Sequence, residues 1–144
     1  MAAESAKEFE ALEAQAATLL DTFRRAGYEQ VAPSIIQPAD IFLDQIGESI
    51  RSRTYVFTDL AGDELCLRPD LTVPVSRLYL ERHPKADTPA RYCYNGPAFR
   101  FQPQGDNQAH PREFRQAGIE CFGESDKERA DVEIVLLAVE AVRS

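Results

Sequence analysis

The sequence predicts an α+β domain in which helices flank a mostly antiparallel sheet. Along its 144 residues, segments typical of a helix, a strand, a hairpin, a helix, a second hairpin and a last helix follow one another. Each hairpin consists of two β-rich runs joined by a loop that contains glycine. Because 44% of the residues are hydrophobic and no repeat or linker divides the chain, we expect one domain or part of one.

The first predicted helix begins at a capping box, Ser5-x-x-Glu8, and ends at Gly27. Between them, apolar residues recur at three- and four-residue steps, which indicates an amphipathic helix of about five turns. The following run, Tyr28–Ile36, is typical of a strand that Pro33 interrupts.

The middle of the chain is predicted to begin with a short helix entered through Pro38 and to continue with a small hairpin. The hairpin strands are Thr54–Thr58 and Glu64–Arg68. The segment Leu71–Arg82 then predicts a helix, since its apolar residues keep a helical spacing. Its one proline, Pro74, lies in the first turn, where proline is tolerated.

The last part of the chain predicts a larger hairpin and a final helix. The hairpin strands are Arg91–Phe101 and Glu113–Phe122, and a second capping box, Ser125-x-x-Glu128, opens the helix. One side of this helix carries a broad apolar face, formed by Val132, Val135, Leu136, Val139 and Val142. A sheet of so few strands cannot cover that face. We therefore expect the chain to be a fragment of a longer protein or to form a homodimer.

Charge and composition limit the classes of function. Sixteen basic and twenty-four acidic residues give a formal charge of −8, which disfavours direct binding of nucleic acid. There is no apolar run of about 18 residues for a membrane span, and the N-terminus lacks the features of a signal peptide. We expect a cytoplasmic protein that binds neither a membrane nor nucleic acid.

Cysteine and histidine residues give no sign of a metal site. Cys66, Cys93 and Cys121 lie in apolar runs at separations that match no close ligand pair, so we expect buried free thiols. His83 and His110 have no Cys, His or Asp at ligand spacing, and both are expected to be solvated. The sequence therefore predicts neither a metal nor a cofactor.

Three stretches occur in a characteristic order. Gly27-Tyr-Glu-Gln-Val-Ala-Pro33 follows the first helix, and Leu67-Arg-Pro-Asp-Leu-Thr72 follows the small hairpin. Tyr94-Asn-Gly-Pro-Ala-Phe-Arg100 then leads through a loop to Phe114-Arg-Gln-Ala-Gly-Ile-Glu-Cys-Phe-Gly123. In this order and spacing the stretches resemble the histidyl branch of the class II aminoacyl-tRNA synthetases, and the last stretch is the most specific. The resemblance extends over nearly the whole chain.

The resemblance implies that residues 1–144 form the N-terminal portion of a class II synthetase-like catalytic domain. Pro33 would belong to the family's first motif, a dimer-interface element, and Arg100 with the loop after it to the second motif. The third motif and the C-terminal domain would lie beyond Ser144.

The resemblance also implies a binding site for histidine. This amino acid offers an ammonium group that needs carboxylate or amide oxygens and an imidazole N–H that needs an acceptor. Asp70 and Gln116 would hold the α-amino group, supported by Thr72, and Glu120 would accept from the imidazole. Gln116 and Glu120 are four residues apart, an even separation that puts both on one face of a strand. Gly118 between them would leave room for the ligand.

A plainer alternative is that the polar residues Arg68, Asp70, Gln116 and Glu120 only solvate the open face of a half-buried sheet. The match of all three stretches in one register favours the amino-acid site.

The positions that the resemblance assigns to ATP depart from the synthetase pattern. Arg100 would grip the α-phosphate and Phe114 would stack under the adenine, but Gln102 stands where the family has a glutamate for the adenine amino group. The loop Pro103–Pro111 contains no Lys or Arg, although a triphosphate needs cationic partners. Arg115 stands where the family has a histidine. These residues predict a vestigial ATP site.

A histidine site beside a damaged ATP site resembles the regulatory paralogues of histidyl-tRNA synthetase, which lack aminoacylation activity. Those paralogues join the short-form catalytic subunit of ATP phosphoribosyltransferase, the first enzyme of histidine biosynthesis, and make it active and sensitive to histidine. The resemblance therefore implies a non-catalytic regulatory role with that catalytic subunit as partner. Two alternatives stay open: an active histidyl-tRNA synthetase with an unusual second motif, and a histidine-sensing module attached to another protein.

Overall fold

The computed structural model describes residues 3–43 and 51–143, and it has two three-stranded sheets. The strands are β1 (Glu29–Gln30), β2 (Ile36–Pro38), β3 (Val56–Thr58), β4 (Glu64–Leu67), β5 (Ala90–Phe99) and β6 (Glu113–Phe122). The helices of the described residues are α1 (Ala6–Arg25), α2 (Asp40–Leu43), α3 (Thr72–Arg82) and α4 (Lys127–Arg143). The α+β class is confirmed, but two sheets take the place of the single sheet that the sequence suggested.

The chain divides into two compact units. The first consists of Met1–Ala32, Tyr79–Asn95 and Ala117–Ser144, and the second of Pro33–Leu78 and Gly96–Gln116. As a result, α3, β5 and β6 each contribute residues to both units.

Helix α1 has the termini that its sequence predicts. The Glu8 N–H donates to Ser5 Oγ (3.2 Å) and the Ser5 N–H donates to Glu8 Oε2 (2.8 Å), which completes the capping box. At the other end Gly27 has a φ of 94°, a left-handed conformation that glycine adopts without steric cost. The Tyr28 N–H donates to Phe23 O (3.1 Å), so the carbonyl groups of the last turn are satisfied by a Schellman-type end.

The sheet of the first unit has the strand order β1–β5–β6. Strand β1 is parallel to β5, with Glu29 opposite Tyr92 and Gln30 opposite Cys93. Helices α1 and α4 cover this region, and the buried core consists of Phe23, Tyr28, Cys93, Leu137 and Ala141, with Leu19, Leu20, Ile119 and Ile134 partly buried around it. Apolar side chains from both helices therefore meet in one core.

Helix α4 begins one residue away from its predicted cap. Asp126, rather than Ser125, takes the cap position, because its Oδ1 accepts from the Arg129 N–H (3.1 Å) and its carbonyl accepts from the Ala130 N–H (3.1 Å). On the other side of the helix the predicted apolar face is exposed, and it includes Leu136 at 64% and Val142 at 85% of their full accessibility. Within the described residues this face remains uncovered, as the sequence predicted.

The sheet of the second unit is antiparallel and has the order β2–β4–β3. The hairpin of β3 and β4 is confirmed, and its loop is tied by Asp59 Oδ1, which accepts from the Ala61 N–H (3.0 Å) and the Asp63 N–H (2.9 Å). Behind this sheet the buried core consists of Ala39, Phe42 and Cys66.

The run Tyr28–Ile36 is interrupted at Pro33, as predicted, but the interruption divides it between two sheets. Strand β1 lies in the first unit, and β2, which begins at Ile36, lies in the second. Pro33 separates them, and a proline has no N–H with which to continue a ladder. Pro38 ends β2, and helix α2 begins at Asp40.

All three cysteines are free, and Cys66 and Cys93 are fully buried, as predicted, whereas Cys121 is half-buried. Among residues 3–43 and 51–143, no helix is both long enough and apolar enough to cross a membrane.

Candidate functional site

The segment that links β4 to α3 carries the first of the predicted site residues, Asp70. Its Oδ1 accepts from the Val73 N–H at 3.1 Å, so the carboxylate lies against the first turn of α3. A carboxylate at this end of a helix is stabilised by the unpaired N–H groups and the helix dipole. Thr72 is the first residue of α3 and is exposed.

Gln116 binds the same segment from β6. Its Oε1 accepts from the Leu71 N–H at 3.1 Å. The structure therefore brings Gln116 and Asp70, the two residues expected to hold an α-amino group, to one stretch of backbone within the second unit. The prediction did not foresee that the amide oxygen of Gln116 would hold the protein's own backbone. In this state the oxygen expected to face an ammonium group already has a donor.

Two arginines hold this segment as well. The Arg100 Nε donates to Pro69 O at 3.1 Å. Arg68 is 3% exposed, and its guanidinium donates to Pro97 O (2.8 Å) and Pro33 O (2.7 Å). The alternative that Arg68 solvates an open sheet face is thus wrong for this residue, because its guanidinium is buried.

Glu120 belongs to the first unit, where Tyr94 holds its carboxylate. The Tyr94 hydroxyl donates to Glu120 Oε1 at 3.1 Å. Gly118 does not leave an empty space here, contrary to the prediction. A Cβ on residue 118 would lie 2.6 Å from Tyr94 Cζ, so the Tyr94 ring fills the volume that the glycine leaves.

The residues of the predicted ATP site also make contacts within the chain. The Arg100 guanidinium lies over the Phe114 ring, with Cζ 5.1 Å from the ring centroid, a cation–π arrangement. Gln102 is 7% exposed, and its Nε2 donates to Pro111 O at 2.9 Å. Gln102 therefore closes the base of the loop that follows it.

The loop Pro103–Pro111 is folded on its own polar groups. Asn107 Oδ1 accepts from the N–H groups of Ala109 and His110, both at 2.9 Å, and Asp106 Oδ1 accepts from the Arg112 N–H at 3.0 Å. The loop supplies carboxylate and amide groups and no cationic side chain for a phosphate.

Nothing in the described part of the chain suggests a metal centre: no group of three or more His, Cys, Asp or Glu side chains there could hold an ion. His110 is exposed, as predicted. His83 is half-buried, with its ring centroid 5.3 Å from that of Tyr79, so it is only partly solvated.

Sequence reasoning missed Tyr94 and assigned Arg68 only a surface role. Tyr94 opens the third of the quoted stretches, and its position in an apolar strand gave no sign that its hydroxyl would meet Glu120. A glycine at 118 was the available signal, since glycine within a strand often marks close approach by another group.

The sequence model of the histidyl-tRNA synthetase family matches residues 4–144. The chain belongs to the histidyl-tRNA synthetase family. It is 42% identical to the ATP phosphoribosyltransferase regulatory subunit of Allorhizobium ampelinum over 120 residues. These aligned residues make up 83% of this chain and 30% of that protein. The histidine–tRNA ligase of Methanoregula boonei is 36% identical over 138 residues, 95% of this chain and 33% of the ligase.

Solved structures of the histidyl-tRNA synthetase family have the same fold. One of them is described as an ATP phosphoribosyltransferase regulatory subunit/histidyl-tRNA synthetase from Bacillus halodurans. It superposes with a TM-score of 0.82 at 22% identity, over 99% of this chain and 36% of the other. The class II synthetase-like fold expected from the sequence is therefore confirmed. The chain spans about a third of the length of the curated relatives it matches.

Proposed function

We propose that this protein is a non-catalytic regulatory subunit of ATP phosphoribosyltransferase, which binds histidine and controls a short-form catalytic subunit. It acts in the cytoplasm and forms a homodimer. The observation that carries the proposal is the hydrogen bond from Gln102 to Pro111 O. Gln102 stands at the position where a synthetase of this family has a glutamate for the adenine of ATP, and here its side chain is bonded within the chain instead.

The state of the other nucleotide positions supports a non-catalytic role. Arg100 would have to grip the α-phosphate in a synthetase, but here its Nε bonds to Pro69 O and its guanidinium lies over Phe114. The same stack covers one face of the Phe114 ring. A triphosphate would have to displace these contacts of Arg100 in order to bind here. The loop Pro103–Pro111 offers no Lys or Arg that could bind the phosphates in place of Arg100.

The amino-acid side of the site keeps its functional groups. Asp70 supplies a carboxylate at the start of α3 for an ammonium group, and the exposed Thr72 follows it with a hydroxyl. Gln116 fixes the segment between them through the Leu71 N–H. Glu120, held by Tyr94, supplies the acceptor for the imidazole. A protein with these groups and without an ATP site can bind histidine without activating it.

Histidine can regulate the catalytic subunit only if it binds the less active assembly more tightly than the active one. Coupling free energies of about 1–3 kcal/mol are usual and correspond to a five- to roughly hundredfold response. The name carried by the Allorhizobium ampelinum relative supports such a partnership.

The test is to purify the catalytic subunit of ATP phosphoribosyltransferase from the same organism and to measure phosphoribosyl transfer with and without this protein. We expect co-purification, a higher rate on addition of the protein, and a lower rate when histidine is then added. A catalytic subunit that neither co-purifies nor changes its rate would contradict the proposal.

An active histidyl-tRNA synthetase is the second candidate, favoured by the 36% identity to the Methanoregula boonei ligase over 95% of the chain. The two functions differ in adenylate formation. We expect no histidine-dependent pyrophosphate–ATP exchange above a blank without protein, and clear exchange would favour the synthetase. Histidine binding without exchange or any effect on the transferase would favour the third alternative, a histidine-sensing module.

A further inference from the structure

Arg68 is a buried cation at the end of the small hairpin. It follows β4 directly and is 3% exposed. Burial lowers the pKa of its guanidinium, although an arginine stays protonated in a protein. Both acceptors of the guanidinium are neutral carbonyl oxygens, those of Pro33 and Pro97.

These contacts join three parts of the second unit that are distant in sequence. The Arg68 Nε donates to Pro97 O at 2.8 Å and Nη1 donates to Pro33 O at 2.7 Å. The backbone repeats the connection, because the Arg68 N–H donates to Ile35 O (3.0 Å) and its carbonyl accepts from the Phe99 N–H (3.0 Å). Arg68 is therefore fixed through both its main chain and its side chain.

The space for the guanidinium depends on a glycine. A Cβ on residue 96 would lie 2.5 Å from Arg68 Nη2 and 3.4 Å from Leu71 Cδ2. The far end of an arginine can usually move aside, but two short hydrogen bonds hold this one in place. Gly96 thus accommodates both Arg68 and the side chain of Leu71.

Stability alone gives no clear reason for a charge at this position. Desolvation of a charged group costs free energy, and the two carbonyl acceptors of Arg68 carry no counter-charge that would offset it. Beyond packing, Arg68 can fix the position of its own backbone, because its planar guanidinium donates to two carbonyl groups at once. The backbone whose path it determines is Pro69–Thr72, which carries Asp70 and presents the Leu71 N–H to Gln116.

We propose that Arg68 is a positioning residue for the amino-acid site, which acts by fastening the Asp70 segment to the backbone of Pro33 and Pro97. This inference rests on the proposed binding of histidine. Arg68 does not touch the ligand. It sets where the Asp70 carboxylate and the first turn of α3 lie, and Gly96 leaves the space in which it can do so.

The test compares histidine affinity, measured by titration calorimetry, with the free energy of unfolding. Variants Arg68→Met, Arg68→Lys and Gly96→Ala are measured in the protein under conditions where each is fully folded. We expect Arg68→Met to weaken histidine binding by roughly tenfold, the size of one lost charge-assisted hydrogen bond. Arg68→Lys should recover part of the loss, because an ammonium group keeps the charge but lacks the rigid planar donors of a guanidinium.

A matched control is Arg91→Met in the first unit. Arg91 is a half-buried arginine whose guanidinium, like that of Arg68, makes short hydrogen bonds, to Glu133 at 3.0 Å. Its replacement should lower stability and leave histidine affinity unchanged. If Arg68→Met behaves in the same way as Arg91→Met, Arg68 is merely structural and the inference is wrong.

A double variant tests the mechanism. If Gly96→Ala acts by displacing the guanidinium, it should weaken histidine binding severalfold in the wild-type background and change it little in the Arg68→Met background. Equal effects in both backgrounds would overturn the inference. Wild-type protein that fails to bind histidine would overturn the proposed function as well, whereas normal wild-type binding with unaffected Arg68 variants would overturn the inference alone.

Discussion

The Tyr94 hydroxyl donates to Oε1 of Glu120 at 3.1 Å, and the Tyr94 ring takes the space beside Gly118. Tyr94 is itself 3% exposed, so it holds the carboxylate from the interior of the first unit. The hydrogen bond from Tyr94 fixes the orientation of the Glu120 carboxylate, so that its acceptor oxygens would face an imidazole N–H in a defined way. A freely rotating side chain would not.

Tyr94→Phe should therefore weaken histidine binding while the protein stays folded. The loss of one hydrogen bond corresponds to about 1 kcal/mol, or roughly fivefold in affinity. Glu120→Ala removes the acceptor itself and should cost about 2 kcal/mol, or roughly thirtyfold. Titration calorimetry measures both. Unchanged affinity in a folded Glu120→Ala protein would show that Glu120 is not part of a histidine site.

Gln102→Glu, which restores the family's glutamate, should destabilise the protein at neutral pH rather than restore ATP binding. The carboxylate would be buried against Pro111 O, an acceptor to which only a protonated acid can donate. Burial and this acceptor would raise the pKa of the introduced acid. The variant should therefore be about as stable as the wild type below about pH 4, near the ordinary pKa of glutamate, and should lose stability relative to the wild type as pH rises.

Chemical unfolding of the Gln102→Glu variant at pH 4 and pH 7 measures this difference, which we expect to be about 1–3 kcal/mol at neutral pH. Gln104→Glu, at an exposed position of the same loop, is the control and should match the wild type at both pH values. Equal stability of the two variants at pH 7 would refute the structural role of Gln102.

Tyr28 makes stability sensitive to alkaline pH. Its hydroxyl is buried without a hydrogen-bond partner in the described part of the chain. Burial, with the Glu133 carboxylate as a further cause, raises the pKa of Tyr28 to about 12. An unfolded tyrosine ionises near pH 10, so between about pH 10 and 12 the folded state binds more protons than the unfolded state. Stability therefore falls as pH rises through this window.

Tyr28→Phe should reduce this alkaline loss and change the free energy of unfolding at pH 7 by no more than about 1 kcal/mol, since the lost hydroxyl had no partner. Cys66, whose pKa burial raises to about 11, contributes in an overlapping window and is retained in both proteins. Denaturant unfolding at pH 7, 10 and 11 measures the difference. An equally steep decline in the variant would contradict the assignment to Tyr28.

The exposed face of α4 should support association between copies of the chain. Leu136→Glu places a charge in its middle and should shift the protein towards a monomer, because a charge there would have to be buried in the contact. Ala17→Glu adds the same charge to an exposed position of α1 and should not. Light scattering at tens of micromolar distinguishes the two. A wild-type protein that is already monomeric would count against the homodimer.

The features predicted correctly from the sequence have local causes. Ser5, Glu8 and Gly27 define both ends of α1 because capping groups and a left-handed glycine act within a few residues. The hairpin of β3 and β4 was predictable for the same reason, since Asp59 and the loop glycine lie between the two strands.

The features that the sequence did not predict depend on distant contacts. The burial of Arg68 requires carbonyl groups 29 and 35 residues away, and nothing near position 68 indicates them. The volume beside Gly118 was expected to be open because glycine has no side chain, but Tyr94 reaches it from another strand. For the start of α4 the difference is only one residue, because Ser125 and Asp126 are both good caps and the structure uses Asp126.

Each compact unit contains a cysteine, so alkylation of the thiols can report the opening of each unit separately. Cys66 lies in the second unit, whereas Cys93 and Cys121 lie in the first. Burial raises the pKa of all three thiols, so the reactive thiolate is scarce at neutral pH while the chain is folded. Because Cys66 and Cys93 are fully buried, their modification by iodoacetamide requires the second and the first unit, respectively, to open. Mass spectrometry of the peptides that contain these two residues therefore times the opening of each unit without any engineered probe.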